Sequence, residues 1–216
     1  MKFSLFIDFD GTITTQDVGA RFFTTFSDDS GISLGGKWTK HEISSVEALN
    51  AEAAFVTVSK DEFIEFLKQF TIDPGSLGLY DLCASYDIPI YIISNGLDIY
   101  IDEIMKNHGF GHIPVFANEG VFKNGGLEVE FPCLDKSCSR CANCKGIAIR
   151  KLLRNGDKSI FVGDGYSDLC AVDVADYLFA KGNLADYLTE SGKNSLRFEK
   201  LQDVTDRTRE DILQIS

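Results

Sequence analysis

Two carboxylates two residues apart, Asp8 and Asp10, close a short apolar run and are followed by Gly11 and Thr12. A glycine there releases the chain into a tight turn, so both carboxylates can face one point in space. Such a pair can share a divalent cation, or divide nucleophile and proton-donor roles between its members. A calcium loop of the EF-hand kind is the nearest alternative. Its glycine belongs at the sixth position, whereas Gly11 is the fourth residue counted from Asp8. A solvated turn is the plainest alternative. A second acidic cluster, Gly163-Asp164-Gly165-Tyr166-Ser167-Asp168, follows another apolar run. Taken alone it describes a helix start, with Ser167 as N-cap and acidic side chains at the positive end of the dipole. Together with Ser94 and Lys145, the two clusters form an ordered set that a generic sheet does not explain.

The elements that must carry these residues alternate along the chain. Phe3–Ile7 ends at Asp8, Ile88–Ile93 at Ser94, Ser159–Val162 at Gly163 and Asp164, and Tyr177–Ala180 at Lys181. Helical patterns follow over Leu97–Asn107, Lys145–Arg154, Ser167–Val174, Ala185–Ser191 and Asp203–Leu213. This alternation predicts an α/β fold with a Rossmann-like parallel sheet, in which ligands sit beyond the carboxyl ends of the strands. Between Thr14 and Asp73 no strand of comparable strength occurs. The spacings Val46, Leu49, Ala53 and Phe63, Phe66, Leu67, Phe70 predict amphipathic helices instead. Roughly 60 residues exceed what a crossover needs, so residues 14–75 are expected to form an inserted helical domain, with residues 1–13 and 76–216 as the core. Val121–Phe131, turning at Asn124, Gly125 and Gly126, has the pattern of a hairpin.

Composition narrows the partners. With 44% hydrophobic residues and only 4 Pro in 216, the chain is that of an ordinary globular protein. Its 21 basic and 33 acidic residues leave a formal charge of −12, which repels nucleic acid and anionic membranes. No apolar stretch reaches the ~20 residues of a membrane span, because Ser94, Asn95 and Asp98 interrupt Ile88–Ile101. Met1–Ile7 is too short for a signal-peptide core, and a cytoplasmic protein is expected. Nothing in the sequence addresses oligomeric state.

Six Cys are too few for a disulfide scaffold, yet Cys133, Cys138, Cys141 and Cys144 crowd into one loop, residues 133–144. Their C-x4-C-x2-C-x2-C spacing offers four soft ligands for a structural Zn²⁺. Free thiols, oxidised pairs and an iron–sulfur centre are the alternatives. Cys83 and Cys170 lie in helical patterns and are expected as small core hydrophobes. Cys144 directly precedes Lys145, so any such staple would fix where that ammonium enters the structure.

Four segments in order, Asp8 to Thr12, Ser94 with Asn95, Lys145, and Gly163 to Asp168, resemble the motifs of the haloacid dehalogenase superfamily of aspartate-nucleophile hydrolases. Ile93-Ser94-Asn95-Gly96-Leu97-Asp98, the Cys-rich approach to Lys145 and Phe179-Ala180-Lys181-Gly182-Asn183-Leu184 are similar to one branch of it. That branch is the methionine-salvage phosphatases acting on 2-hydroxy-3-keto-5-methylthiopentenyl 1-phosphate. Phosphoserine phosphatases are the next relatives. Asn95 stands where the salvage enzymes often carry Gly, and Gly165 is closer to the phosphoserine type.

The resemblance implies Mg²⁺-dependent hydrolysis, or transfer to an alcohol, of the phosphate of a small phosphorylated metabolite. Asp8 would be the nucleophile, forming an aspartyl-phosphate, and Asp10 the acid and base. Mg²⁺ would be held by Asp8, the Asp10 backbone and Asp164, with Asp168 behind them. Ser94, Asn95, Lys145, Gly11 and Thr12 would bind phosphate. Residues 14–75 would be a cap with Asp17, Arg21, Phe22 and Phe23 as candidate contacts, Phe23 being better explained as cap core. A metal-binding protein whose Cys cluster is the function and whose hydrolase site is a relic is the non-enzymatic alternative. The intact Asp8, Asp10, Lys145 and Asp164 argue against it.

Overall fold

A computed structural model of the chain describes residues 2–27, 37–38, 42–123 and 125–214. They form a seven-stranded sheet in the order β4-β3-β2-β1-β5-β6-β7. The strands are β1 (Lys2–Ile7), β2 (Ile90–Leu97), β3 (Val115–Lys123), β4 (Gly126–Glu130), β5 (Asp157–Gly163), β6 (Tyr177–Ala180) and β7 (Leu196–Arg197). All neighbours are parallel except β3 and β4, the expected hairpin; its Asn124 lies outside the described residues.

Both faces of the sheet are covered, which is why its strands show as apolar runs rather than as alternation. Phe3, Leu5, Ile7, Ile92, Ile160, Val162 and Phe179 fill one core. Phe6, Ile93, Phe161, Leu178 and Ala180 point the other way, into a second core with Ile149 and Leu184. The first core takes in α4 (Ser76–Ser85), α5 (Asp98–Asn107) and α9 (Leu201–Arg207); the second takes in α6 (Lys145–Leu152), α7 (Leu169–Val172) and α8 (Gly182–Glu190).

Register explains the convergence of the motifs. Ile7 pairs with Ile92 on one side and Val162 on the other, so the residues that follow Ile7, Ile93 and Val162 emerge side by side from three adjacent strands. β1 is the point from which the chain winds both ways, the crevice where open α/β sheets bind ligands.

Several boundaries differ from expectation. β2 does not stop at Ser94: pairing jumps from Ile93–Phe116 to Leu97–Asn118, so Ser94, Asn95 and Gly96 form a bulge that turns polar groups out of the ladder. Ser167 is no N-cap. It lies inside a 3-10 turn, Tyr166–Asp168, and the helix expected to run to Val174 is cut to α7. The last helix starts two residues earlier than expected, at Leu201, and continues irregularly through Thr208–Leu213.

The segment after β1 contains α1 (Val18–Phe26), α2 (Ser45–Ala53) and α3 (Lys60–Leu67). Ser44 with Glu47 and Ser59 with Glu62 form capping boxes that start α2 and α3. Phe22 is fully buried among the rings of Phe23, Phe26, Phe63 and Phe66, and Phe63 packs on Phe122 of β3 with ring centroids 5.1 Å apart. At its base the outgoing and returning strands meet in an antiparallel bridge, Thr14 with Ile72. Among the described residues no helix is long and apolar enough to cross a membrane.

Candidate active site

Asp8 follows the last residue of β1 and is 4% exposed. Its Oδ1 accepts from the Phe9 N–H at 2.7 Å and lies 2.6 Å from Lys145 Nζ. The wholly buried Lys145, first residue of α6, also sits 2.5 Å from Asp168 Oδ1 and donates to Ser167 Oγ at 3.2 Å. Its three protons are thereby engaged, and Oδ2 of Asp8 is the oxygen left outside this network. Burial opposes charge on Lys145, but Asp168 and Asp8 outweigh it and hold the ammonium above its ordinary value. Burial and the neighbouring Asp168 push Asp8 well up, against the pull of Lys145.

Both oxygens of Asp168 are engaged. Oδ1 takes Lys145, and Oδ2 accepts the backbone N–H groups of Asp164 and Gly165 at 2.9 and 3.0 Å. It therefore shapes the turn that presents Asp164. Thr12, fully buried, donates its hydroxyl to Asp164 Oδ1 at 2.8 Å. That bond aims the Asp164 carboxylate. Gly11 has φ +76°, and a Cβ there would stand 2.5 Å from Asp164 Oδ2. Gly11→Ala is expected to lower stability by about 1–2 kcal/mol, from the left-handed backbone and the displaced carboxylate together. Urea unfolding measures it, and an unchanged midpoint would show that Asp164 is free to move.

Asp8, Asp164 and Asp168 bring carboxylate oxygens within 4.8 Å of one another, beside the buried ammonium of Lys145. Burial and Asp168 lift Asp164 to about 6. A buried excess of negative charge, in oxygen ligands, is what a hard divalent cation such as Mg²⁺ neutralises, so the donor set fits that ion.

Asp10 is held differently. Its Oδ1 accepts from the N–H groups of Val18 and Gly19 at 2.8 and 3.2 Å, and its Oδ2 from Tyr100 Oη at 3.0 Å. Burial and the nearby Asp17 raise it to about 7, those three donors pulling the other way. Two neighbouring carboxylates thus differ in surroundings: one is bonded to an ammonium, the other to two backbone N–H groups and a phenol. Tyr100 carries no signal in the sequence that separates it from the other apolar residues of α5.

Ser94 is buried at the bulge, its Oγ accepting from the Gly96 N–H at 2.9 Å. Asn95 accepts twice, at Oδ1 from the Asn143 N–H (2.9 Å) and at its carbonyl from Asn118 Nδ2 (2.7 Å), while its own Nδ2 is buried without a partner. Asn143 Nδ2 closes the network on the carbonyls of Ser94 and Phe116. Asn118 and Asn143 thus hold the bulge in shape, a role that only their three-dimensional position assigns.

These groups open onto a cleft of about 490 Å³. Its floor includes Asp8, Asp10, Ser94, Asn95 and Asp164, and its roof comes from the inserted segment: Phe23, Trp38, Ala48, Leu49, Asp17 and Glu52. Of the four contacts expected there, Asp17 and Phe23 line the cleft. Phe22 is core, and Arg21 is exposed, donating to Gln69 at 3.5 Å. Among the described residues no Lys or Arg lines the cleft, and burial and Asp17 raise Glu52 to about 7.

The cysteines assemble otherwise than expected. Cys138, Cys141 and Cys144 cluster with Cys170, not with Cys133. Cys133 lies apart and half-buried, and only Cys83 is the small core residue expected of the helical pair. The replacement crosses from the loop to α7, which chain spacing cannot show.

The family model for haloacid dehalogenase-like hydrolases matches residues 5–173. A 2-hydroxy-3-keto-5-methylthiopentenyl-1-phosphate phosphatase of Bacillus cereus strain AH187 is 30% identical over 212 residues, covering 94% of each chain. A substrate-bound phosphoserine phosphatase superposes with a TM-score of 0.73 at 18% identity, covering 97% of this chain and 98% of that one. A phospho-aspartyl intermediate analogue of phosphoserine phosphatase gives 0.71 at 17% identity, covering 97% and 99%.

Proposed function

The chain belongs to the haloacid dehalogenase-like hydrolases, and from that membership and the cleft we propose that it is a Mg²⁺-dependent phosphatase of a small phosphomonoester, with Asp8 as nucleophile. The observation that carries the reading is the buried Asp8 held by Lys145 at 2.6 Å, beside an Asp10 that keeps its proton to about 7.

Phosphate monoesters resist attack because nucleophile and substrate are both anionic. Mg²⁺ bound by Asp8, the Asp10 main-chain carbonyl and Asp164 would supply the charge that lets them meet. Lys145 and the Phe9 N–H fix Asp8 through Oδ1, leaving Oδ2 to attack phosphorus. As that bond forms and the ester P–O bond breaks, Asp10 gives its proton to the leaving oxygen. The resulting carboxylate then takes a proton from water, which attacks phosphorus and frees Asp8. The Ser94 hydroxyl, at the floor of the cleft, is a donor to the phosphoryl oxygens.

The roof favours some substrates over others. Phe23, Trp38, Ala48 and Leu49 suit an apolar tail, as in the methionine-salvage enol phosphate on which the Bacillus relative acts. Asp17 and Glu52 support a second reading, an amine-bearing ester such as phosphoethanolamine. Phosphoserine fits less well, since its carboxylate finds no lining Lys or Arg among the described residues.

Phosphate release from these three esters and a sugar phosphate, with and without Mg²⁺, tests the proposal. Metal-dependent release that EDTA reduces to background is expected; rates untouched by EDTA would refute the metal role. Tyr100→Phe offers a finer check. Its hydroxyl favours ionised Asp10, so without it Asp10 stays protonated to higher pH. The alkaline limb of kcat/KM should move up by about half a unit to one unit. A limb that moves down would contradict Asp10 as the acid.

A further inference from the structure

Cys138, Cys141, Cys144 and Cys170 place their four sulfurs within 4.8 Å of one another, at one end of α6 and α7. Cys141 Sγ and Cys170 Sγ are 3.6 Å apart. A tetrahedral ion with Zn–S bonds of about 2.3 Å sets its sulfurs about 3.8 Å apart, so this spacing suits a single ion at the centre. An iron–sulfur cube interposes four irons and holds its thiolates farther apart. The backbone prepares the sulfurs for charge: the Cys141 N–H points to Cys138 Sγ at 3.4 Å, and the Ile147 N–H donates to Cys144.

We propose that these four residues bind one Zn²⁺ as thiolates and that the ion fixes the buried Lys145–Asp168 ion pair. Binding releases the four thiol protons to solvent and changes no oxidation state. The ligands sit where they can act on that pair. Cys144 immediately precedes Lys145, and Cys170 follows Asp168 by two residues. The ion therefore joins the two segments that carry the partners of the 2.5 Å contact. Their close approach has its own signature: a Cβ on Gly146 would collide with the Cys170 carbonyl. Lys145 and Asp168 come from chain segments 23 residues apart, and a rigid link between those segments keeps the ammonium on Asp8. Lys145 and Asp168 are the groups in the site; the four cysteines are positioning residues.

Elemental analysis of untagged protein, purified under reducing conditions, tests the site. About one equivalent of zinc is expected, retained in Cys133→Ser and lost in Cys170→Ser. A second measurement on the unmutated chain guards against a variant that fails to fold. Cobalt exchanged for zinc should give the visible bands of a tetrahedral tetrathiolate ion, and a mercurial should release one zinc as it titrates four thiols. Iron in place of zinc, a metal-free protein with all thiols reactive, or zinc lost in Cys133→Ser but kept in Cys170→Ser would each overturn the assignment. For the positioning role, which rests on the proposed phosphatase activity, zinc-stripped protein of unchanged far-UV dichroism is assayed in excess Mg²⁺ with the ester that the unmutated, zinc-loaded chain hydrolyses fastest. A fall in kcat of about tenfold at constant KM, reversed by Zn²⁺, is expected. An unchanged kcat would leave a staple that does not set Lys145 and so refute that half.

Discussion

Asp8→Asn is expected to lower kcat on the order of 10⁴-fold or more while the folded state keeps or gains stability. An amide oxygen is a poor nucleophile toward phosphorus, and no other carboxylate shares the position of Asp8 at the end of β1. The stability half has a separate cause. Burial and Asp168 raise the Asp8 carboxyl well above its ordinary value, so the unfolded chain releases that proton at lower pH than the folded one. Above the unfolded value Asp8 therefore weakens the native state as pH rises, and an isosteric neutral Asn removes this burden. Lys145 retains Asp168 as its partner. Thermal unfolding in EDTA near pH 7 should show a melting temperature equal to or above that of the unmutated chain. Activity within about tenfold of normal would refute the nucleophile assignment, and a marked loss of stability would show that the Asp8–Lys145 contact holds the fold.

Lys145→Met carries the largest expected loss of stability. Lys145 is wholly buried, and removing it leaves Asp8 and Asp168 facing each other with no ammonium between them. Breaking a buried pair by taking away one partner typically costs about 3–5 kcal/mol, and Met fills the volume without restoring the charge. The sign of the pH dependence follows. Without Lys145 nothing offsets the burial that already holds Asp8 above its ordinary value, so its folded value rises further above the unfolded one. The deficit should be small near pH 5 and grow toward pH 8. Urea unfolding in EDTA across that range measures it. A deficit below about 1 kcal/mol, or one independent of pH, would mean that water or a rearranged side chain already compensates the site.

Much of this architecture was present in the one-dimensional pattern. The Asp8–Thr12 and Gly163–Asp168 segments, Ser94 and Lys145 pointed to one chemistry because their types and order resemble the motifs of the haloacid dehalogenase superfamily. Strands buried on both faces must be apolar throughout, so β1, β5 and β6 stood out. The aromatic spacing of Phe63, Phe66 and Phe70 announced a helical insertion for the same reason: a buried face needs its period. Composition and periodicity are local quantities, and these were local facts.

What the tertiary structure decided were relations between distant segments. Nothing near Cys170 in sequence marks it as the partner of Cys138, Cys141 and Cys144; α7 brings it there across the sheet's end. Folding turns the Thr12 hydroxyl onto Asp164 and seats Lys145 between Asp8 and Asp168. The bulge at Ser94, the Asn118 and Asn143 bonds that shape it and the Tyr100 hydroxyl on Asp10 depend on register and helix rotation. Residue type and local pattern specified which chemical groups could gather at the carboxyl ends of the strands, because the reaction restricts their identity. Only the fold decided which of them face the cleft and which hold the others in place, because burial, register and charge pairing are properties of three-dimensional neighbours.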